Sequence, residues 1–147
     1  NPGHTSALPG ASAMMRPAAA ALAAWLLSVS FAAAATDDPG SSAREWIGLI
    51  DHQKYVESWQ EGSAFFRSRI TATAWKHMTK LYRDPVGRLL WREVDSIALV
   101  AKLRDLPDGE YAVVHFRSKF AARPDSIETV ELIQEGGLWR VSSYSIH

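Results

Sequence analysis

Two carboxylates, Glu93 and Asp95, stand in a stretch rich in large apolar side chains. They lie an even number of residues from Trp91 and Leu99. In an unbroken strand, both carboxylates therefore point to the same, apolar side of the sheet as these two residues. Burial there raises a carboxyl pKa and suits such a group to general acid or base work. A bulge near Asp95 and Ser96 reverses the parity and exposes both groups instead. Because spacing identifies no second catalytic partner, we prefer the bulge.

A second polar group depends on how the last strands pair. A tight turn at Gly136 and Gly137 joins the final two strands as a hairpin. Matching the apolar faces of the preceding strand then places His115 opposite Glu131, with Arg140 diagonal to the histidine. This trio is either a binding site with a pH-responsive contact or a cross-strand polar cluster, and we prefer the cluster.

The same register predicts a mixed surface on one face of the sheet. Tyr111, His115, Glu131, Arg140 and Tyr144 fall on the face opposite the apolar one. Aromatic side chains and arginine are enriched where proteins meet each other. The leading hypothesis is therefore a non-enzymatic binding or protein-interaction module, whose partner is an unidentified protein or a second copy of the chain in a homodimer.

Composition excludes several other classes of function. Sixteen basic residues balance sixteen acidic ones, which disfavours nucleic acid as a partner, and cysteine is absent. The histidines after residue 35 lie far apart and show no paired ligand spacing, so no metal site is predicted. Glycine-rich phosphate loops and nucleophile motifs are also missing, so we expect no cofactor. Those histidines are His52, His77, His115 and His147.

The amino-terminal part reads as an export signal. Residues 14–35 combine one arginine, an apolar run and small residues at Ala33 and Ala35, which is typical of a cleaved signal peptide. An anchoring helix is the competing interpretation, but the run is shorter than the roughly 20 residues that span a bilayer. Residues 1–13 are treated as an upstream remnant. We expect a periplasmic or secreted protein without membrane attachment after cleavage.

The rest of the chain changes from helical to strand periodicity about halfway along. A flexible leader over residues 36–43 precedes a single domain over 44–147. Helical spacing, with a bend near residues 51–54 and a cap at Thr71 or Thr73, gives way after Gly87 to alternating strands. Helices followed by an antiparallel meander predict an α+β fold, with helices packed on a four-stranded antiparallel sheet. The predicted helix-facing residues are Val114, Phe116, Phe120, Val130, Leu132, Trp139 and Val141.

Several ordered segments carry a family resemblance. "IDHQKYVESW", "FFRSRITATAW", "DPVG", "LPDGEYAVVHFRSKF" and "IETVELIQEGGLWRVSSYSI" resemble the bacterial domain-of-unknown-function 4019 family. The family usually shows glycine where Gln53 stands. The resemblance implies an exported protein without an assigned activity, of cystatin-like or nuclear-transport-factor-two-like shape with a curved sheet. It transfers no catalytic residue.

Two alternatives to the interaction module stay open. The first is a small-molecule-binding protein or enzyme with a pocket between helices and sheet, using Glu93 or Asp95 as acid or base. The second is a cystatin-like protease inhibitor, which rests on the implied shape alone. Whether the protein is an enzyme is left undecided, with the sequence favouring a non-enzyme.

Overall fold

A computed structural model of the chain describes Gly10 and residues 37–147, so the predicted signal peptide lies outside the described residues. Within residues 37–147, a helical half precedes a strand half, as predicted, and the α+β class is confirmed. The elements are α1 (Pro39–Asp51), α2 (Tyr55–Gln60), α3 (Ala64–Arg69), α4 (Ala72–Arg83), a 3-10 turn (Asp84–Val86), β1 (Leu89–Val100), β2 (Tyr111–Phe120), β3 (Ser126–Glu135) and β4 (Leu138–Ile146).

Helix α1 begins earlier than the sequence analysis predicted. The side chain of Asp38 accepts a backbone hydrogen bond of the first turn, and Pro39 occupies the first helical position. An aspartate cap followed by proline is a favoured helix start. Asp37 is also fixed, because its Oδ2 accepts the backbone N–H of Trp139 at 2.6 Å. The flexible leader expected over residues 36–43 is therefore wrong from Asp37 onward.

The predicted bend between the first helices is confirmed at Gln53. This residue has a φ of 59°, in the left-handed region that favours glycine. The reversal lets the N–H of Lys54 return to the carbonyl of Leu49 at 2.8 Å, closing α1. A glutamine thus holds a backbone conformation that glycine adopts at no steric cost.

The helical layer contains one more break than the sequence predicted. Gly62 is followed by Ser63, whose hydroxyl accepts the N–H of Phe66 and caps α3. The stretch expected to continue as one helix is thereby divided into α2 and α3. Thr71 caps α4 as predicted, and α4 ends at Arg83 before Pro85.

The sheet is a simple antiparallel meander in the order β1, β2, β3, β4. In β1 the pairing with β2 shifts between Val94 and Ser96, which leaves Asp95 as an extra residue. The predicted bulge at this point is confirmed. Its effect is to place Val94 and Ile97 on the same face, although they are an odd number of residues apart.

The hairpin of β3 and β4 contains a further bulge, which was not predicted from the sequence. Gly136 and Gly137 form its turn with φ values of 57° and 83°, and Leu132 pairs with Val141. Glu131, however, pairs with Ser143, so Ser142 is an extra residue in β4. Every side chain beyond it changes face.

The core lies between the helices and the inner face of the sheet. Six of the seven predicted helix-facing residues are buried, and Trp139 packs against them half-buried. The indole N–H groups of Trp46 and Trp75 both donate to Ser58, at 2.8 Å to its carbonyl and 2.9 Å to its hydroxyl. The polar atoms that these large side chains bring into the core are therefore satisfied.

Candidate functional site

The sheet face turned away from the helices, here called the outer sheet face, keeps His115 near its centre. The pairing surrounds this histidine with Thr129 and Ser96 on the neighbouring strands. Thr129 contributes a hydrogen bond, with 2.9 Å between its Oγ1 and His115 Nδ1. His115 is half-buried, so one edge of the imidazole is held and the rest faces outward.

The predicted trio of His115, Glu131 and Arg140 does not form. The register of β2 and β3 differs by two residues from the predicted one, so His115 pairs with Thr129 and Glu131 pairs with Val113. Arg140 instead donates from Nη1 to Glu61 Oε2 at 2.9 Å, beside the end of α2. A shift of two residues preserves which face each side chain occupies but changes its neighbours, which is why the faces of β2 and β3 were predicted correctly and the contacts were not.

Tyr144 is not on the outer sheet face, and that prediction is wrong. The bulge at Ser142 turns Tyr144 to the helix side, where its ring centroid lies 5.7 Å from that of Trp46. Its hydroxyl donates to Glu128 Oε1 at 2.6 Å. Tyr144 therefore belongs to the interior of the protein.

Tyr111 lies on the predicted face of the sheet, but its side chain is not accessible there. It is 4% exposed, and its hydroxyl donates to the carbonyl of Pro107 in the loop between β1 and β2. That loop covers the ring, with Gly109 close to the hydroxyl. Of the five predicted binding residues, Tyr111 and Tyr144 are thus unavailable to a partner on this face.

The candidate acid and base, Glu93 and Asp95, lie outside any helix-sheet pocket. Both are exposed, Glu93 opposite Arg117 and Asp95 on the bulge. Asp95 Oδ1 is 3.8 Å from Arg117 Nε, an exposed ion pair that contributes little. The pocket mechanism that used these two carboxylates is not supported by their placement.

The structure instead places a buried ionic cluster between sheet and helices, which the sequence analysis missed. Arg92 donates from Nε to Glu128 Oε2 at 2.6 Å and from Nη1 to Asp51 Oδ2 at 2.6 Å. Arg83 donates to Asp51 Oδ1 at 3.0 Å. Two arginines and two carboxylates therefore form one neutral network, to which Tyr144 and Ser118 add hydroxyl donors on Glu128. This set is called the buried ionic cluster below.

Its electrostatics follow from burial and pairing. The Glu128 side chain is fully buried and that of Arg92 is 5% exposed. Burial lowers the pKa of Arg92, but hydrogen bonds and charges from Asp51 and Glu128 outweigh it and leave that pKa above its ordinary value. Burial, together with the charge of Glu128, raises the pKa of Tyr144 well above the ordinary tyrosine value. Arg92 therefore stays charged and the tyrosine stays protonated.

A signal for this cluster exists in the sequence. Glu128 is in phase with Val130 and Leu132, which were assigned to the helix-facing side, and Ser118 is in phase with Phe116. Once β1 is paired, Arg92 faces Ser118 on the same side. A carboxylate and a guanidinium that alternate in phase with core residues, on two strands separated by a third, indicate a buried ion pair.

One end of the outer sheet face carries exposed apolar groups. Trp91 is 47% exposed and Ile127 is 37% exposed, and both line a shallow depression of about 270 Å³ with Arg117. Exposed tryptophan beside arginine is the composition found at the energetic centres of interfaces.

Clefts border the helical side of residues 37–147. One, of about 460 Å³, lies between α1, α2 and the start of β4 near Trp139. A cleft of about 350 Å³ adjoins Arg83, and one of about 300 Å³ runs between α4 and the end of β4. Their sizes reach the lower range of small-molecule sites. In residues 37–147 no three histidine, aspartate or glutamate side chains converge to hold a metal ion.

With one open sheet covered on a single face by helices, the described residues define an α+β protein with a buried polar centre. The family described as "Protein of unknown function (DUF4019)" matches residues 42–144, and the chain belongs to this family. No curated protein matches the chain. Among solved structures, it is similar to one described as "Crystal structure of known function protein from Kribbella flavida DSM 17836", with 12% identity, 74% of this chain and 84% of that chain covered, and a TM-score of 0.45.

The part of the chain that the structure describes contains no helix with the length and apolar character of a membrane span.

Proposed function

We propose that the protein is an exported, non-enzymatic interaction module whose outer sheet face pairs with a second copy of the chain. Export rests on the signal-like residues 14–35, which favour a periplasmic or secreted location. The observation that supports this pairing is the shape of the outer sheet face. Around His115, the neighbouring strands present small side chains at Ser96, Ala98 and Ser143, so a second sheet can approach closely.

Charge on this face favours a self-complementary contact. On β2, Arg117 lies two residues from His115 in one direction and Val113 lies two residues from it in the other. Glu131, on β3, pairs with Val113. A two-fold axis through His115 brings Arg117 of one copy toward Glu131 of the other. Opposite charges then meet twice in an isologous interface, which is the arrangement that a symmetric dimer requires.

The depression near Trp91 extends the same face at its rim. Trp91 and Ile127 offer apolar area that a monomer leaves in water. Burial of such area supplies free energy that the polar centre of the face does not. The interaction centre proposed here is therefore His115, Arg117 and Glu131, flanked by Trp91, in place of Tyr111, which is buried, and Tyr144, which faces the helices.

Charge reversal tests this arrangement. The chain is purified from the exported fraction, its mass establishes whether residues 1–35 are removed, and light scattering across a dilution series gives the dimer dissociation constant. Arg117→Glu and Glu131→Arg are each expected to weaken the dimer, because like charges then meet. The double variant restores the pairing with exchanged signs and is expected to recover most of the affinity.

A matched control places the same kind of change away from the face. Ser68 lies exposed on α3, and Ser68→Arg is expected to leave the dissociation constant unchanged. A wild-type monomer at every concentration would disprove the homodimer. Equal weakening by Ser68→Arg, or no recovery in the double variant, would remove the outer sheet face as its site.

A further inference from the structure

The cleft beside Arg83 has the features of a binding site that the interaction module does not use. It measures about 350 Å³ and lies between the end of α1 and the end of α4 with its 3-10 turn. Its lining residues are Ile50, Asp51, Gln53, Tyr55, Lys80, Arg83, Asp84, Gly87 and Arg88. The site is on the helical side of the molecule and shares no residue with the outer sheet face.

Arg83 is only partly satisfied by the protein. It is 6% exposed, and its guanidinium carbon lies 4.3 Å from the centroid of the Phe120 ring. Nη2 donates to Asp51, whereas Nε and Nη1 have no hydrogen-bond partner within residues 37–147. A guanidinium does not lose its proton, so these donors remain. Buried donors without an acceptor are unfavourable, which makes an additional acceptor beside them stabilising.

The carboxylates of the cleft are already engaged. Asp51 accepts bonds from both Arg83 and Arg92 with its two oxygens. Asp84 pairs with Lys80 at 3.3 Å. Arg88, which is exposed, makes no salt bridge within the described chain. The cleft therefore contains three cationic side chains and two carboxylates, and both carboxylates are already paired.

Tyr55 adds a neutral donor to the same wall. Its side chain is 4% exposed. Burial, and secondarily the charge of Asp84, raises its pKa above the ordinary tyrosine value. The hydroxyl consequently stays protonated and able to donate throughout the neutral range.

We infer that this cleft binds a small oxyanion, a carboxylate or phosphate group, between Arg83, Arg88 and Lys80. Lys80 and Arg88 are exposed and form its mouth, while Arg83 forms its inner end. Because Nε and Nη1 of Arg83 are shielded from solvent, the anion meets the two outer cations first and reaches Arg83 as they rotate. Charge-assisted hydrogen bonds of this kind are the stronger class of polar contact.

The test uses the side-chain N–H resonance of Arg83 in ¹⁵N-labelled protein. Inorganic phosphate, succinate and chloride are titrated separately at equal ionic strength. We expect a saturable shift of Arg83 Nε–H with phosphate or succinate and none with chloride. Tighter binding of phosphate identifies a phosphate ligand, and tighter binding of succinate identifies a carboxylate ligand.

Two variants separate the cleft from general surface charge. Arg88→Gln is expected to weaken binding on the order of tenfold, the loss of one charged contact. Arg67→Gln, an exposed arginine on α3, is the matched control and is expected to change nothing. Linear shifts without saturation, the same response to chloride, or equal weakening by Arg67→Gln would overturn the inference.

Discussion

Arg92 and Glu128 join two strands that are not neighbours in the sheet. Arg92 lies on β1 and Glu128 on β3, and the guanidinium reaches across β2 to place Nε 2.6 Å and Nη2 2.9 Å from the two carboxylate oxygens. The same guanidinium binds Asp51 at the end of α1. One side chain thereby fixes the spacing of three strands and a helix.

Removal of the charge on Glu128 is predicted to be strongly destabilising. Glu128→Gln keeps the side-chain volume but leaves Arg92 buried with one carboxylate fewer, and breaking a buried pair costs about 3–5 kcal/mol. Chemical denaturation measures the change in the free energy of unfolding. Glu45→Gln, at an exposed position on α1, is expected to stay within about 0.5 kcal/mol of wild type. Equal effects of the two variants would show that the buried pair adds no net stability.

Tyr144 is predicted to make stability fall in the alkaline range. Its folded pKa lies well above the ordinary value of 10.0 because of burial and the charge of Glu128. Below pH 10 the tyrosine is protonated in both states, and its contribution is complete. Above pH 10 the unfolded chain loses this proton while the folded chain keeps it, so the free energy of unfolding decreases.

Tyr144→Phe isolates that contribution. The variant should show a shallower decrease above pH 10, with a remaining slope from Tyr55, whose pKa is also raised. Tyr82→Phe is the control, because Tyr82 is 57% exposed. Denaturation curves measured at several alkaline pH values give both slopes. Parallel curves for wild type and Tyr144→Phe would contradict the assignment.

Gln53→Gly is predicted to stabilise the protein. Gln53 has a φ of 59°, and a left-handed conformation costs a residue with a side chain roughly 1–2 kcal/mol relative to glycine. We expect a gain of about 0.5–1 kcal/mol after the greater freedom of glycine in the unfolded chain is included. Lys54→Gly, where φ is −84°, should destabilise instead. The same sign for both variants would show that backbone strain does not control this bend.

Substitutions of two further glycines by alanine are predicted to change the free energy of unfolding in opposite directions. A Cβ at Gly62 would lie 2.4 Å from Phe66 Cδ1 and 3.1 Å from the carbonyl of Trp59, so Gly62→Ala is expected to cost about 1–3 kcal/mol by overpacking. Gly48 lies inside α1 with open space around the added carbon. Gly48→Ala should therefore stabilise by about 0.5–1 kcal/mol. Thermal or chemical unfolding distinguishes the two directions.

The order of elements was predictable because it depends on local period. Alternation in β2 and β3 identifies the helix-facing side chains, and β-branched residues with turn signals locate the strands. The bulge at Asp95 was also predictable, since without it two carboxylates would be buried without partners. These inferences need only neighbouring residues and the cost of burying charge.

The buried ionic cluster was not predicted, because it depends on pairing between distant segments. Asp51 ends a helix, Arg92 lies on the first strand and Glu128 on the third, and nothing local relates them. Tyr144 was misplaced for a different reason. Ser142 carries no turn signal such as glycine, so the sequence gives no warning that the strand contains an extra residue.

The extra residue at Ser142 sets which way the end of β4 faces. Val141 and Tyr144 both face the helices although they are an odd number of residues apart, and the bulge accounts for this. Deleting Ser142 would restore regular alternation with Val141 and Tyr144 still on the helix side, so the hydroxyl donor to Glu128 would be kept. Relatives that are one residue shorter at this point of β4 should therefore retain the same buried ionic cluster.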